Sequence, residues 1–231
     1  MIDIRPAESR AVTATDWLDS RHSFAFGQHY DPANTGFALL VASNDDVLAP
    51  GGGFTSHQHR DLEIVTWVLD GELVHTDDQG NRAVITPGVA QRISAGTGIE
   101  HTERNGSSER PVRYVQMWLL PDETGVAPSY EQRIVGQGNG LLPVASGRGH
   151  DAIGLRQRDA VLWLGRLAPG QVVALPEAAC VHLFVATGDV VIPGAALGQG
   201  DAARLTSEPA VELTAVTGSE LLIWEMHSPA G

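Results

Sequence analysis

From Leu62 to Val74 apolar residues occupy both alternating faces of the chain: Ile64, Val65, Trp67, Val68 and Leu69 surround a single Thr66, and the run stops at Asp70-Gly71. β-branched and aromatic residues at this density predict a strand buried on both sides and closed by a tight turn. Thr76-Asp77-Asp78-Gln79-Gly80-Asn81 is a second turn signal, followed by a short strand from Ala83 to Thr86 and another turn at Pro87-Gly88. Ile93 to Gly98 reads as a glycine-punctuated loop, and Val112 to Leu120 as a further strand. Short strands about ten residues apart, with turns between them, indicate a sandwich or barrel. Helix is expected only in small pieces, with Thr15 to Ser20 as the candidate behind a threonine cap. Pro121 to Asp151 holds Pro121, Pro128, Pro143 and six glycines, shows little strand pattern, and reads as a connection between two halves.

The second half echoes the first. The segment Trp67 to Val74 aligns with Phe184 to Val191 at an offset of 117, and Gly88 with Arg92-Ile93-Ser94 aligns with Gly200 and Arg204-Leu205-Thr206 at an offset of 112. A trimmed loop between two copies of one β unit produces such a change of offset. The expectation is an all-β chain of two antiparallel β-barrels in tandem with few short helices, divided as residues 1–135 and 136–231.

Composition narrows the chemistry. The 26 glycines and 13 prolines are scattered, which suits many turns. A net charge of −13 disfavours direct binding to nucleic acid or to anionic membranes. The N-terminal residues show no apolar signal core and no run approaches membrane-spanning length, so a cytoplasmic address is expected. The single cysteine, Cys180, lies among apolar neighbours and can form neither an internal disulfide nor a thiolate cluster. Any metal must be held by imidazole and carboxylate.

Two segments offer those groups. Gly51-Gly52-Gly53 leads into His57-Gln58-His59, and residues two apart on a strand share a face at a rise of about 6.6 Å. Gly96-Thr97-Gly98 leads into His101-Thr102-Glu103, which repeats that spacing. Three imidazoles and one carboxylate suit Fe(II), Mn(II), Ni(II), Cu(II) or Zn(II), and not an all-oxygen cage for Mg²⁺ or Ca²⁺. Glu63 shares the parity of His57 and His59, and periodicity alone does not separate it from Glu103 as the oxygen ligand. The remaining histidines, His22, His29, His75, His150, His182 and His227, read as solvated or hydrogen-bonded side chains.

The run His57, His59, Glu63, Gly71 and the run Gly96, His101, Asn105 resemble the two motifs of the cupin superfamily. The stretches Phe26 to Pro32, Asn44 to Asp46, His57 to Thr66, His75 to Asp77, Gly80-Asn81, Ser94 to Asn105 and Trp118 to Asp122 resemble bacterial pirins, densely over the first 135 residues and loosely beyond. That resemblance implies a bicupin whose metal ligands are His57, His59, His101 and Glu103, with Glu63 nearby but not ligating. Gln58 stands where pirins commonly carry proline. Carried through the repeat offsets, the ligand positions fall on Ala174, Pro176, Leu213 and Ala215, so the second barrel should hold no metal.

Several pirins are similar to quercetin 2,3-dioxygenases. The resemblance therefore implies one divalent transition metal, Fe(II) first and Cu, Ni, Mn, Co or Zn as alternatives. It also implies a small aromatic flavonol-like substrate opened with O2, and Glu103 as ligand and catalytic base. Phe24, Phe26, Phe54 and Trp118 are candidates to line an apolar pocket, or to pack in the core. The alternative reading is a metal- or redox-sensing regulatory protein that binds a transcription factor or a metabolic enzyme. A monomer is expected, since two fused barrels already cover each other's sheets.

Overall fold

The computed structural model describes residues 1–228 as strands joined by turns, with one short 3-10 helix at Ala7–Ser9. Each half pairs a seven-stranded sheet with a four-stranded one, so each is an open, flattened barrel. In the first half the large sheet runs Ser129–Ile134, Val89–Ser94, Glu63–Asp70, Val112–Leu119, Leu40–Leu48, Leu18–His22, Ala11–Ala14. Its small sheet runs Gly53–His59, Ile99–Asn105, Leu73–Asp77, Arg82–Ile85. The second half repeats both orders. Cys180–Thr187, Ser219–Met226 and Ala160–Leu167 take the central places of its large sheet, and Val172–Ala174 pairs with Glu212–Ala215 as Gly53–His59 pairs with Ile99–Asn105. Cross-strand register carries the sequence offsets: Glu63 faces Ser94, and Cys180 faces Thr206.

One strand crosses between the halves. Ile2–Arg5, from the start of the chain, pairs with Ala202–Thr206 and forms the edge of the second half's large sheet. Three expectations are corrected. Pro121 to Asp151 is more than a connection, because Ser129–Ile134 closes the first large sheet and Gly140–Ser146 enters the second. Pro128 and Gly136 on either side of the first, and Gly140 and Pro143 within the second, hide the strand pattern. The candidate helix at Thr15 to Ser20 is a turn followed by the strand Leu18–His22. The Thr15 hydroxyl does accept from the Trp17 and Leu18 amides, but alternate burial of Leu18, Ser20 and His22 favours the strand over propagation of a helix. Val89–Ser94 also extends as strand into the expected loop, which begins after Ser94.

The doubly apolar strands follow from how the halves meet. The two large sheets pack face to face, and Val65, Trp67, Val115 and Met117 of the first share one core with Leu162, Leu164, Phe184, Leu222 and Trp224 of the second. Burying each such side chain contributes about 1.5–3 kcal/mol. Polar ends are matched as well: Trp67 Nε1 donates to Glu220 Oε1 at 2.7 Å, and Arg113 forks onto Asp45 at 2.9 Å while also reaching the Ala186 carbonyl. Cys180 is buried in this core. The opposite faces of the large sheets look into their own barrels.

Candidate metal centre

The small sheet of the first barrel carries the donors. His101 pairs directly with His57 across the two strands, and Ile99 with His59. A bulge then shifts the register, so that Glu103 faces Phe54. The extra residue lets both Phe54 and His57 turn inward despite their odd spacing. Gly53 permits the close approach of these strands, since a Cβ there would lie 2.5 Å from the Glu103 carbonyl oxygen. The ring centroids of His57, His59 and His101 are 4.3–5.0 Å apart. Their nitrogens form one donor set lying within 4.8 Å of one another, and Glu103 forms an overlapping set with His101 and His75.

Hydrogen bonding decides which nitrogens are free. Asp77 is held by the Gln79 and Asn81 amides and by Asn81 Nδ2, so its carboxylate accepts from His75 Nε2 at 3.0 Å. Neutral His75 therefore presents a lone pair at Nδ1, and His101 Nδ1, 3.3 Å away, donates to it. That leaves the lone pair of His101 on Nε2, which is buried without a protein partner. His59 Nε2 is likewise buried and unpartnered, and His57 Nδ1 donates to the Thr55 carbonyl at 2.9 Å, which frees its Nε2. Buried imidazole nitrogens without partners are costly unless something accepts their lone pairs, and a divalent cation does. His75, occupied on both nitrogens, orients His101 and is not itself a donor.

Electrostatics agree with this assignment. Burial, then the neighbouring His57, lowers the His59 pKa to about 4, and the same causes hold His101 far below the usual imidazole range. Both imidazoles are neutral near pH 7. Burial raises Glu103 to about 7, against the stabilising bonds that Gln116 Nε2 donates to both its oxygens at 2.9 Å. Trp118 Nε1 donates to Gln116 Oε1 at 3.0 Å and fixes the orientation of that amide. Asp46 is also raised to about 7, first by burial and then by Glu103, although the Ser20 hydroxyl donates to it.

A cavity of about 400 Å³ opens onto this cluster, with His57, His59, Glu103 and Gln116 on one side and Phe26, Phe54 and Trp118 among the apolar walls. Three of the four candidate aromatic residues thus line it. Phe24 is the exception: it packs between the halves beneath the Arg204 guanidinium. Glu63 is also placed elsewhere. It sits at the start of a large-sheet strand and accepts from the Arg156 amide of the second half at 3.1 Å, so parity with His57 does not bring it to the site. Five of the six remaining histidines are hydrogen-bonded as expected, but His75 is fully buried and His182 Nε2 is buried without a partner. The residues that sequence reading missed are Gln116, Asp46 and the His75–Asp77 pair. The pair had a legible signal, because His75-Thr76-Asp77 repeats the two-residue spacing of His57-Gln58-His59 and His101-Thr102-Glu103.

Two cupin-type units in one chain, the first with a cluster of metal-type donors opening onto a cavity, define a bicupin. The Pirin family model matches residues 5–119, and the model described as the quercetinase C-terminal cupin domain matches residues 143–226. The chain belongs to the pirin family. It is 52% identical, over 100% of its length and 97% of the relative, to a Mycobacterium tuberculosis protein that carries a provisional name as a quercetin 2,3-dioxygenase. To the quercetin 2,3-dioxygenase of Escherichia coli it is 36% identical over 98% of this chain and 99% of the other. Among solved structures, the Escherichia coli pirin YhhW in complex with nickel(II) superposes with a TM-score of 0.92 at 36% identity, covering 99% of this chain and 100% of that one.

Proposed function

We propose that the chain is a metal-dependent dioxygenase that opens the central ring of a flavonol, with His57, His59, His101 and Glu103 holding one divalent transition metal, Fe(II) in the first instance. The carrying observation is the meeting of three free imidazole lone pairs with a buried carboxyl of raised pKa at the wall of an aromatic-lined cavity. The nickel(II) complex of the relative supports a divalent ion in this fold, and the relatives' names support flavonol chemistry. When bound, the ion supplies Lewis acidity toward a phenolic oxygen and a path for electrons to O2.

The protein's own groups account for the rest. Glu103, buried at the cavity wall and ionised when it holds the ion, would take the proton of a flavonol 3-hydroxyl. Gln116, locked by Trp118, keeps Glu103 aimed and prevents it from turning toward Asp46. Phe26, Phe54 and Trp118 present flat apolar surfaces that stack on an aromatic ligand and exclude water. The cavity volume falls in the range of about 300–1,000 Å³ typical of small-molecule pockets. His22, fixed between Asn44 and Thr13, adds polar groups suited to a hydroxylated ring. Quercetin bleaching by protein that is stripped with chelator and then reloaded with Fe(II), Mn(II) or Ni(II) tests the proposal. Activity should vanish on stripping and return on loading, and a fully metallated protein without turnover overturns it.

A further inference from the structure

Buried side-chain nitrogens and oxygens without a hydrogen-bond partner fall, among the described residues, in two places. One is the first barrel's interior, with His59, His101 and the Tyr114 hydroxyl. The other is the seam between the halves, where Arg10 Nε and Nη1, Arg204 Nε, Ser23 Oγ and His182 Nε2 are all unpartnered. All four of those side chains line one small cavity of about 110 Å³, together with Arg5 and Asn34.

The charges there are only partly compensated: Asp3, across the strand pair from Arg204, and Asp201, near Arg10, act on them without forming ion pairs with them. Arg204 stacks on Phe24 and Phe37, and its Nη2 donates to the Ser23 carbonyl at 3.2 Å and to Asn34 Oδ1 at 2.7 Å. Among the described residues no carboxylate lies within ion-pairing distance of it. Arg10 reaches Asp45 only at 3.7 Å, and both oxygens of that carboxylate already accept from Arg113 at 2.9 Å. Arg5 pairs with Asp3. One acidic side chain, Asp31, stands on the exposed rim beside Ser9. A chain of net charge −13 thus gathers three guanidiniums around one buried space. A buried guanidinium without a counter-charge is expensive, whereas one facing an oxyanion gains short charge-assisted bonds.

We infer that this cavity is a binding site for a small oxyanion such as phosphate, sulfate or a short carboxylate, gripped by Arg10 and Arg204 with the Ser23 hydroxyl as a neutral donor and His182 on the wall. The space exceeds the roughly 30 Å³ share of one water and falls well below what a flavonol-sized pocket needs, at about 300 Å³ or more. The residues come from three segments: the N-terminal stretch, the loop after Leu18–His22, and strands of the second half. A bound anion ties all three together. The same loop carries Phe26 to the wall of the metal cavity, yet the inference does not depend on what that cavity does.

Thermal unfolding of the full chain at fixed ionic strength tests it, with inorganic phosphate, sulfate and acetate titrated against chloride, alongside ³¹P NMR titration with phosphate. The wild-type Tm should rise saturably with at least one of the three oxyanions. Arg204→Met keeps the apolar stem against Phe24 and Phe37; it should weaken that anion's binding at least tenfold and match or exceed the wild-type Tm in chloride alone. Should this variant fail to fold, Ser23→Ala should weaken binding severalfold while leaving Tm in chloride unchanged. An equal, unsaturating rise in wild type and variant would mark a general salting effect and defeat the inference. So would a Tm in all three anions no higher than in chloride, with only water then occupying the cavity.

Discussion

The two barrels share one strand order and differ in what fills them. Across the large sheet of the first runs an inward-facing row of Gln91, Thr66, Gln116 and Asn44, each paired with the next. The matching row of the second is Ala203, Leu183, Ile223 and Trp163. Facing these rows, the small sheets carry His101 and Glu103 in one case and Leu213 and Ala215 in the other, the positions that the repeat offset of 112 connects. The polar row splits the first barrel's apolar interior into two clusters, one around Leu48, Val68 and Tyr114 and one around Ile64, Ile93 and Ile99. The second barrel has a single continuous core. One architecture thus supports either a hollow, polar interior or a filled one, and the choice rests on one row of the large sheet together with the side chains that face it. The filled barrel contributes stability and covers the sheet on whose other face the hollow one is built.

Substitutions can break this contrast. His101→Ala removes the imidazole shared by both donor sets; metal content should fall from about one per chain to near zero, with quercetin turnover reduced more than about a hundredfold, by elemental analysis and bleaching assay. Ile223→Ala, in the filled barrel, should cost about 2–5 kcal/mol in denaturant unfolding while leaving metal content near one. If Ile223→Ala instead emptied the metal site, the division of labour between the barrels would be wrong. Asp77→Asn weakens the acceptor that fixes the His75 and His101 tautomers, along with the turn bonds from Gln79 and Asn81; metal affinity should weaken about 10–100-fold in chelator competition, with a circular dichroism spectrum like wild type.

The smallest effect concerns protons. A carboxyl whose folded pKa is raised to about 7 is largely protonated at pH 6 and largely ionised at pH 8, and a metal ligand must be ionised. Metal binding should therefore release protons from Glu103: about 0.9 at pH 6 and about 0.1 at pH 8, taken as the calorimetric difference between wild type and Glu103→Gln. The signs for stability oppose each other. Raised Glu103 favours the folded metal-free chain at low pH and loses that contribution as pH rises through about 7. Lowered His59 contributes above the ordinary imidazole pKa of 6.5 and loses it as pH falls through about 4. Proton release isolates Glu103 where a melting curve would blend the two.

Much of this is legible in the residues. The duplication appears as two offsets, and both return as cross-strand register, because strand pairing conserves spacing within a sheet. The pairs His57-x-His59 and His101-x-Glu103 are readable because a strand's period of two puts such residues on one face. Parity fails at Glu63, since it says which face of a strand is shared but not which sheet the strand joins. Asp61, with φ of +50°, redirects the chain between His59 and Glu63, and the two residues end in different sheets. Gln116 and Asp46 carry no local signal because their roles come from strands distant in sequence. The strand Ile2–Arg5, completing a sheet built by the far end of the chain, bears no local mark of its destination.

The central claim is one metal ion in the first barrel and none in the second. Anomalous diffraction from crystals loaded with excess nickel(II) measures this directly. One strong peak is predicted, about 2.0–2.2 Å from Nε2 of His57, His59 and His101 and from a carboxylate oxygen of Glu103. No peak among those residues, or a peak of equal strength between Val172–Ala174 and Glu212–Ala215, would contradict it.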